Sequence, residues 1–186
     1  MSGPAHLIFF LSYAIAAPAQ APEKVNWDSP AARDFNRRVA DYVKLRKTAQ
    51  KEIHRLKPTK SPEAIEQYEH HLAHRIREAR YSAVQGNIFT PGITEEFRRV
   101  IGLTMQGPEA AGIRQSLQRA APVRSRAMGV NSAYPAGLPL QSTPPSLLLK
   151  LPPLPPEVEY RVVGHDLVLR DVEANLVVDL IPNAIP

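Results

Sequence analysis

A chain of 186 residues with 44% apolar residues suits one or two small domains, and with 6% aromatics any core is mainly aliphatic. The absence of cysteine excludes disulfides, thiolate metal sites, a thiol nucleophile and lipidation at cysteine. The formal charge of +5 is unevenly spread: residues 30–60 carry ten Lys and Arg against Asp34, Asp41 and Glu52, whereas residues 121–186 carry five against six acids.

The first segment is "HLIFFLSYAIAAPAQAPEK". Its apolar run, Leu7 to Ala17, is about half the length of a bilayer span. Small residues follow it in the pattern a signal peptidase accepts, as Ala17-Pro18-Ala19 or Ala19-Gln20-Ala21. The first is the favoured cut, because Pro22 follows the second. Residues 1–21 are therefore expected to be a signal peptide, although residues 1–6 lack its customary Lys or Arg. The mature chain is expected to be periplasmic or secreted, with no stable membrane insertion after cleavage.

The fold expected is α+β. Residues 22–121 form the helical domain. Ser29-Pro30 opens a helix, with serine as cap and proline at the first helical position. Ala32, Phe35, Val39, Tyr42, Ala49, Ile53 and Leu56 then recur at three- and four-residue steps, interrupted by Arg46, until Lys57-Pro58. Ser61-Pro62-Glu63 repeats the start signal. A second helix is expected to run to Gln85, with Ile65, Leu72, Ile76, Ala79 and Ala83 inward and Gly86-Asn87 as its stop. So short a connector folds the pair into an antiparallel hairpin. Two shorter helices, from about Thr94 to Met105 and from Gly107 to Arg119, are expected to cover its open side.

Residues 122–156 are a Pro/Leu-rich linker, expected to be an extended strap with Leu147 to Leu149 lying on the helices. Residues 157–186 alternate as strands do and predict a three-stranded antiparallel β-meander. A two-residue turn at Gly164-His165 places Val162 opposite Leu167, Tyr160 opposite Leu169, and Glu159 opposite Arg170 on the other face. The third strand, Leu176 to Ile181, is expected to pair Leu169 with Leu176 and Leu167 with Val178. Three short strands need a cover to be stable.

Two functional readings emerge. The first rests on the basic first helix, whose field favours an anionic partner. It makes the protein a non-catalytic binding or scaffolding component of the envelope, with an unidentified protein, an anionic envelope component or a second copy as partner. Nucleic acid is not expected, because no recognition motif or aromatic interleaving accompanies the charge. The second reading rests on "YEHHLAHRIREAR". Glu66, His70, His74 and Glu78 are four residues apart and form one row on a helix, with His71 beside it. Glu66, His70 and His74 supply three ligands for a weak zinc, nickel or copper site. Against it, a closed site wants four ligands, and Arg75, Arg77 and Arg80 stand close by. A solvated polar row has the same spacing. The glycine-rich phosphate loop and the Gly-x-Ser-x-Gly elbow are both missing, and Asp166, Asp171 and Asp179 imply no pocket, so no enzyme and no tightly held cofactor is expected.

The tail carries a resemblance. Leu154-Pro155-Pro156, Tyr160-Arg161, Gly164, Asp166 to Leu169 and Val177 to Asp179 resemble the C-terminal module of small bacterial envelope proteins, including periplasmic nickel/cobalt-homeostasis proteins and uncharacterised exported families. The resemblance covers about the last 35 residues and implies export and a β-hairpin, with no catalytic residues. The long helical hairpin is similar in outline to periplasmic metal-sensing and stress-chaperone hairpins. Their Leu-Thr-x-x-Gln signature is absent, and Leu103 to Gln106 falls one residue short of it.

Overall fold

The computed structural model describes residues 27–54, 56–118, 128–134 and 143–186. The expected signal peptide and its cleavage sites lie outside these residues, as does much of the expected linker. The chain is α+β. Among the described residues the order is α1 (Pro30–Lys51), α2 (Pro62–Ala79), α3 (Pro91–Thr104), α4 (Ala110–Gln118), a single turn α5 (Pro145–Leu148), then β1 (Val158–Val163), β2 (Asp166–Asp171) and β3 (Leu176–Ile181). The strands form one antiparallel sheet in the order β1-β2-β3.

Both long helices start as their sequences dictate. Ser29 Oγ accepts from Ala32 N at 3.2 Å and Ser61 Oγ from Ala64 N at 3.3 Å, each followed by proline at the first helical position. Their ends differ from expectation. α1 stops at Lys51, well short of Pro58, where its apolar stripe loses most of its packing: Ile53 is only partly buried against the core. The first buried residue of α2 is Leu72, and Ile65 is 39% exposed, so the closed end of the hairpin lacks the tertiary contacts that sustain a helix. α2 stops at Ala79 rather than Gln85. Arg80 leaves helical geometry and turns its guanidinium onto Val178 O at 3.1 Å, Asn131 Oδ1 at 3.2 Å and the face of Tyr42. Ala83 is therefore not a helical residue. α3 begins earlier than expected, at Pro91, which fits the same first-position rule.

The β1–β2 register is the one the side-chain alternation demands: Val162 opposite Leu167, Tyr160 opposite Leu169 and Glu159 opposite Arg170. Gly164 supplies the positive φ, +60°, of the turn. The β2–β3 register is not the expected one. Leu167 pairs with Ile181 and Leu169 with Asp179, and after a bulge at Leu169/Arg170, Asp171 pairs with Leu176. The turn chemistry sets this. Asp171 Oδ1 accepts from Ala174 N at 2.8 Å and Asn175 takes φ +47°, which closes a four-residue connection and slides β3 along β2.

One core joins the two layers. Phe35, Val39, Leu72, Ile76, Ile93, Phe97, Ile101 and Ile113 of the helices pack with Tyr160, Val162, Leu167, Leu169, Val178 and Ile181 of the sheet. Phe97 is at its centre, with ring centroids 5.5 Å from Phe35 and from Phe89, 5.7 Å from Trp27 and 5.8 Å from Tyr160. The other sheet face is also covered. Val163, Val168, Val177 and Leu180 pack under Tyr134, Met128 and Val130. Residues 131–134 pair along the outer edge of β3, through Asn131 N to Val177 O and Val177 N to Ser132 O, both 2.9 Å, and Tyr134 N to Asn175 O at 2.8 Å. Within the expected extended strap these residues act as an edge segment, and residues 145–148 are helical. Of the three leucines expected on the helices, only Leu147 is buried; Leu149 is 84% exposed. A four-residue turn buries one side only, so neighbouring leucines cannot all point inward.

Truncating the central ring tests this account. Phe97→Ala should destabilise the fold by about 3–5 kcal/mol, the usual cost of removing a fully buried aromatic, measured as a lowered midpoint in urea unfolding.

Candidate functional site

Arg33, Arg37, Ala40, Lys44, Lys47 and Lys51 of α1 fall within about 40° of one line along the helix and span about 27 Å. All six are exposed. The opposite side of α1 is buried, so this stripe faces solvent. Arg37 pairs with Asp34 and lies 3.6 Å from Asp41, and Lys47 Nζ lies 2.9 Å from Glu157 Oε1. Arg33, Lys44 and Lys51 have no acidic partner among the described residues. Beside the stripe, a shallow groove between α1 and α2 is lined by Leu45, Ala49 and Ala79 and rimmed by Asp41, Lys44, Glu52, Arg75 and Glu78. Arg75 pairs with both Glu52 and Glu78 and ties the helices together across it.

Arg46 is not part of the stripe. It is 3% exposed, and its Nε donates to Asp171 Oδ2 at 2.9 Å. Tyr42 Oη donates to the same oxygen at 2.8 Å, and the Arg46 guanidinium also pairs with Glu173. Burial alone would lower the Arg46 value; the adjoining Asp171 and Glu173 carboxylates outweigh it and raise it. Burial, and then Asp171, pushes the Tyr42 hydroxyl well above the ordinary tyrosine value, so it stays a donor. Asp179, also buried, accepts from Gly86 N at 3.0 Å, Ile88 N at 2.7 Å and Phe89 N at 2.9 Å, which fixes the connection between α2 and α3. Both buried aspartates are thus occupied by internal donors. The sequence marks them only as carboxylates in strands, and their partners lie about a hundred residues away.

Glu66, His70 and His74 are placed on α2 as their spacing requires, and all three are exposed. His74 Nε2 lies 3.4 Å from Glu78 Oε1, whose other oxygen takes Arg75. Among the described residues no three His, Asp or Glu side chains gather where one metal ion would meet them all. His54 is exposed beyond α1, and His165 is an exposed turn residue bonded to Ile185 O at 2.9 Å.

The second sheet face holds a half-buried charged cluster. Glu159 Oε1 accepts from Arg170 Nη1 at 2.6 Å and Glu159 Oε2 from Arg161 Nη2 at 2.5 Å. Arg170 also donates to Asn175 Oδ1 at 2.8 and 3.0 Å, and its guanidinium lies 5.1 Å from the Tyr134 ring centroid. Burial pushes the Glu159 carboxyl up, but the two guanidiniums overcome this and hold it below the ordinary glutamate value. Alternation exposed the Glu159–Arg170 pair in the sequence; Tyr134 carries no such signal.

Among the described residues no helix is long and apolar enough to cross a membrane. No protein-family model, no curated protein and no solved structure matches the chain.

Asp171→Ala should cost about 3–5 kcal/mol, because it leaves the Arg46 charge buried without its principal partner; denaturant unfolding measures it. Glu159 sets a pH dependence. Its folded-state value lies below the unfolded one, so its stabilisation is present above the usual glutamate range and is lost as pH falls through the lowered value. Midpoints of wild type and Glu159→Gln, compared from neutral pH downwards, should therefore converge in acid.

Proposed function

We propose that the protein is a non-catalytic, exported binding component of the envelope that docks through the outer face of α1 onto an anionic envelope component. The observation that carries this reading is the stripe of five exposed cations on one line of a straight helix. Three of them, Arg33, Lys44 and Lys51, have no acidic partner among the described residues, whereas Arg46 of the same helix is buried and bonded internally. A straight row of this kind suits a linear polyanion or a charged surface, where attraction sums over many weak contacts and depends steeply on salt. The internal use of Asp171 and Asp179 supports a role without catalysis, since neither carboxylate is left for acid–base work. The leader expected at residues 1–21 and the resemblance of the tail to envelope modules are the sequence features that support export.

The test is direct. Full-length mature protein should bind dextran sulfate and phosphatidylglycerol vesicles at about 50 mM salt and release them as the Debye length shrinks. Arg33→Glu, Lys44→Glu and Lys51→Glu combined, the three stripe cations without an acidic partner among the described residues, should lower affinity at least about ten-fold without lowering the unfolding midpoint. Unchanged binding by the triple variant would overturn the assignment of the surface.

A further inference from the structure

We infer that the anionic component taken by α1 is a single extended acidic glycan chain with a charged group on each sugar; this rests on the docking of anions along α1 proposed above. The line of cations is narrow. Arg33, Lys44 and Lys51, which have no acidic partner among the described residues, fall within about 20° of one another around the helix axis. Carboxylates stand on both sides of them. Asp34, Asp41 and Glu52 lie about 80–100° round the helix, on the side of the groove towards α2 and roughly 8 Å from the line. Glu157, just ahead of β1, is on the other side, against Lys47.

Width decides what can follow such a line. A flat lipid surface broad enough to rest on α1 meets these carboxylates together with the cations, and each one subtracts from the attraction. A single chain laid along the line keeps Asp34, Asp41 and Glu52 about a Debye length away, ~8 Å at physiological salt. A lipid surface also favours apolar side chains that enter it, and none of the large exposed hydrophobic residues among those described is on α1. A nucleic-acid strand favours aromatic rings on which its bases stack, whereas Phe35 and Tyr42, the aromatics of α1, are buried on its inner side.

Spacing selects the repeat. From Arg33 to Lys44 is eleven residues and from Lys44 to Lys51 is seven, so the gaps are about 16.5 Å and 10.5 Å along the axis, close to three helical turns and two. A chain with an anionic group every ~5.4 Å therefore meets all three cations in register, and about six such groups reach from Arg33 to Lys51. This repeat is the length of one sugar ring in a stretched glycan.

Oligomannuronates of increasing length, with a carboxylate on each sugar, titrated into full-length protein at about 50 mM salt and followed by calorimetry, test both length and geometry. Affinity should climb at least about ten-fold from a trimer, which covers Lys44 to Lys51, to a hexamer, which also reaches Arg33, and little beyond it. Arg33→Glu should weaken the hexamer at least about three-fold and leave the trimer unchanged. Phosphatidylglycerol vesicles and oligothymidylate, at equal concentration of anionic groups, should bind at least about ten-fold more weakly than the hexamer. Vesicles or oligothymidylate bound as tightly as the hexamer, no rise from trimer to hexamer, or Arg33→Glu acting on both oligomers alike or on neither would each overturn the inference and leave the docking of anions on α1 in place. Hexamer binding unchanged in the Arg33→Glu, Lys44→Glu, Lys51→Glu triple variant would overturn that docking as well.

Discussion

The helices and the sheet meet at one carboxylate. Asp171, at the end of β2, is removed from water and accepts from Tyr42, Arg46 and the backbone of its own turn. A lone buried charge is among the costliest features a fold can hold, and here three donors converge on it. Because two of them come from α1, the helix cannot slide or rotate on the sheet without stranding Asp171 and Arg46 together. The same group bonds Ala174 and so defines the turn that sets where β3 lies. One side chain thus links the docking angle of α1 to the register of the sheet.

The second buried carboxylate does comparable work at the other side of β3. Asp179 gathers three amide donors, those of Gly86, Ile88 and Phe89, from a segment with no regular ladder of its own. Arg80 crosses nearby, bonding Val178 and stacking on Tyr42. Burial lowers its value, and the neighbouring Tyr42 and Asp179 oppose that shift. Charged groups at the layer boundary therefore determine orientation, while the aliphatic and aromatic core supplies most of the driving force. On the solvent side of α1, Arg33, Lys44 and Lys51 take no part in these contacts.

Legibility in the sequence follows the range of the interactions. Helix starts depend on three or four neighbouring residues, and Ser29-Pro30 and Ser61-Pro62 announced both. The β1–β2 register depends on alternation and a two-residue turn, and it too was readable. Where a partner lies far away, pattern fails. The end of α2 is set by contacts of Arg80 with Asn131 and Val178, and Arg46 reads as a flaw in an apolar stripe until Asp171 is placed beside it. The β3 register was missed for a local reason, since the bulge at Leu169/Arg170 breaks the alternation that would have predicted it. Of the candidate sites, the charge of the first helix was visible in composition and the Glu159–Arg170 pair in spacing; the single line on which the exposed cations of α1 fall was not drawn from the sequence.

The partners of α1 are encoded late. Tyr42 and Arg46 wait for Asp171, 129 and 125 residues further along, and the fully buried β3 comes later still. While the polypeptide is being made, α1 can pack against α2 and α3, but its buried Arg46 has no carboxylate to meet until β2 has emerged. The layer between helices and sheet therefore closes only when the last strands are made, and a fold completed by such distant pairings forms slowly.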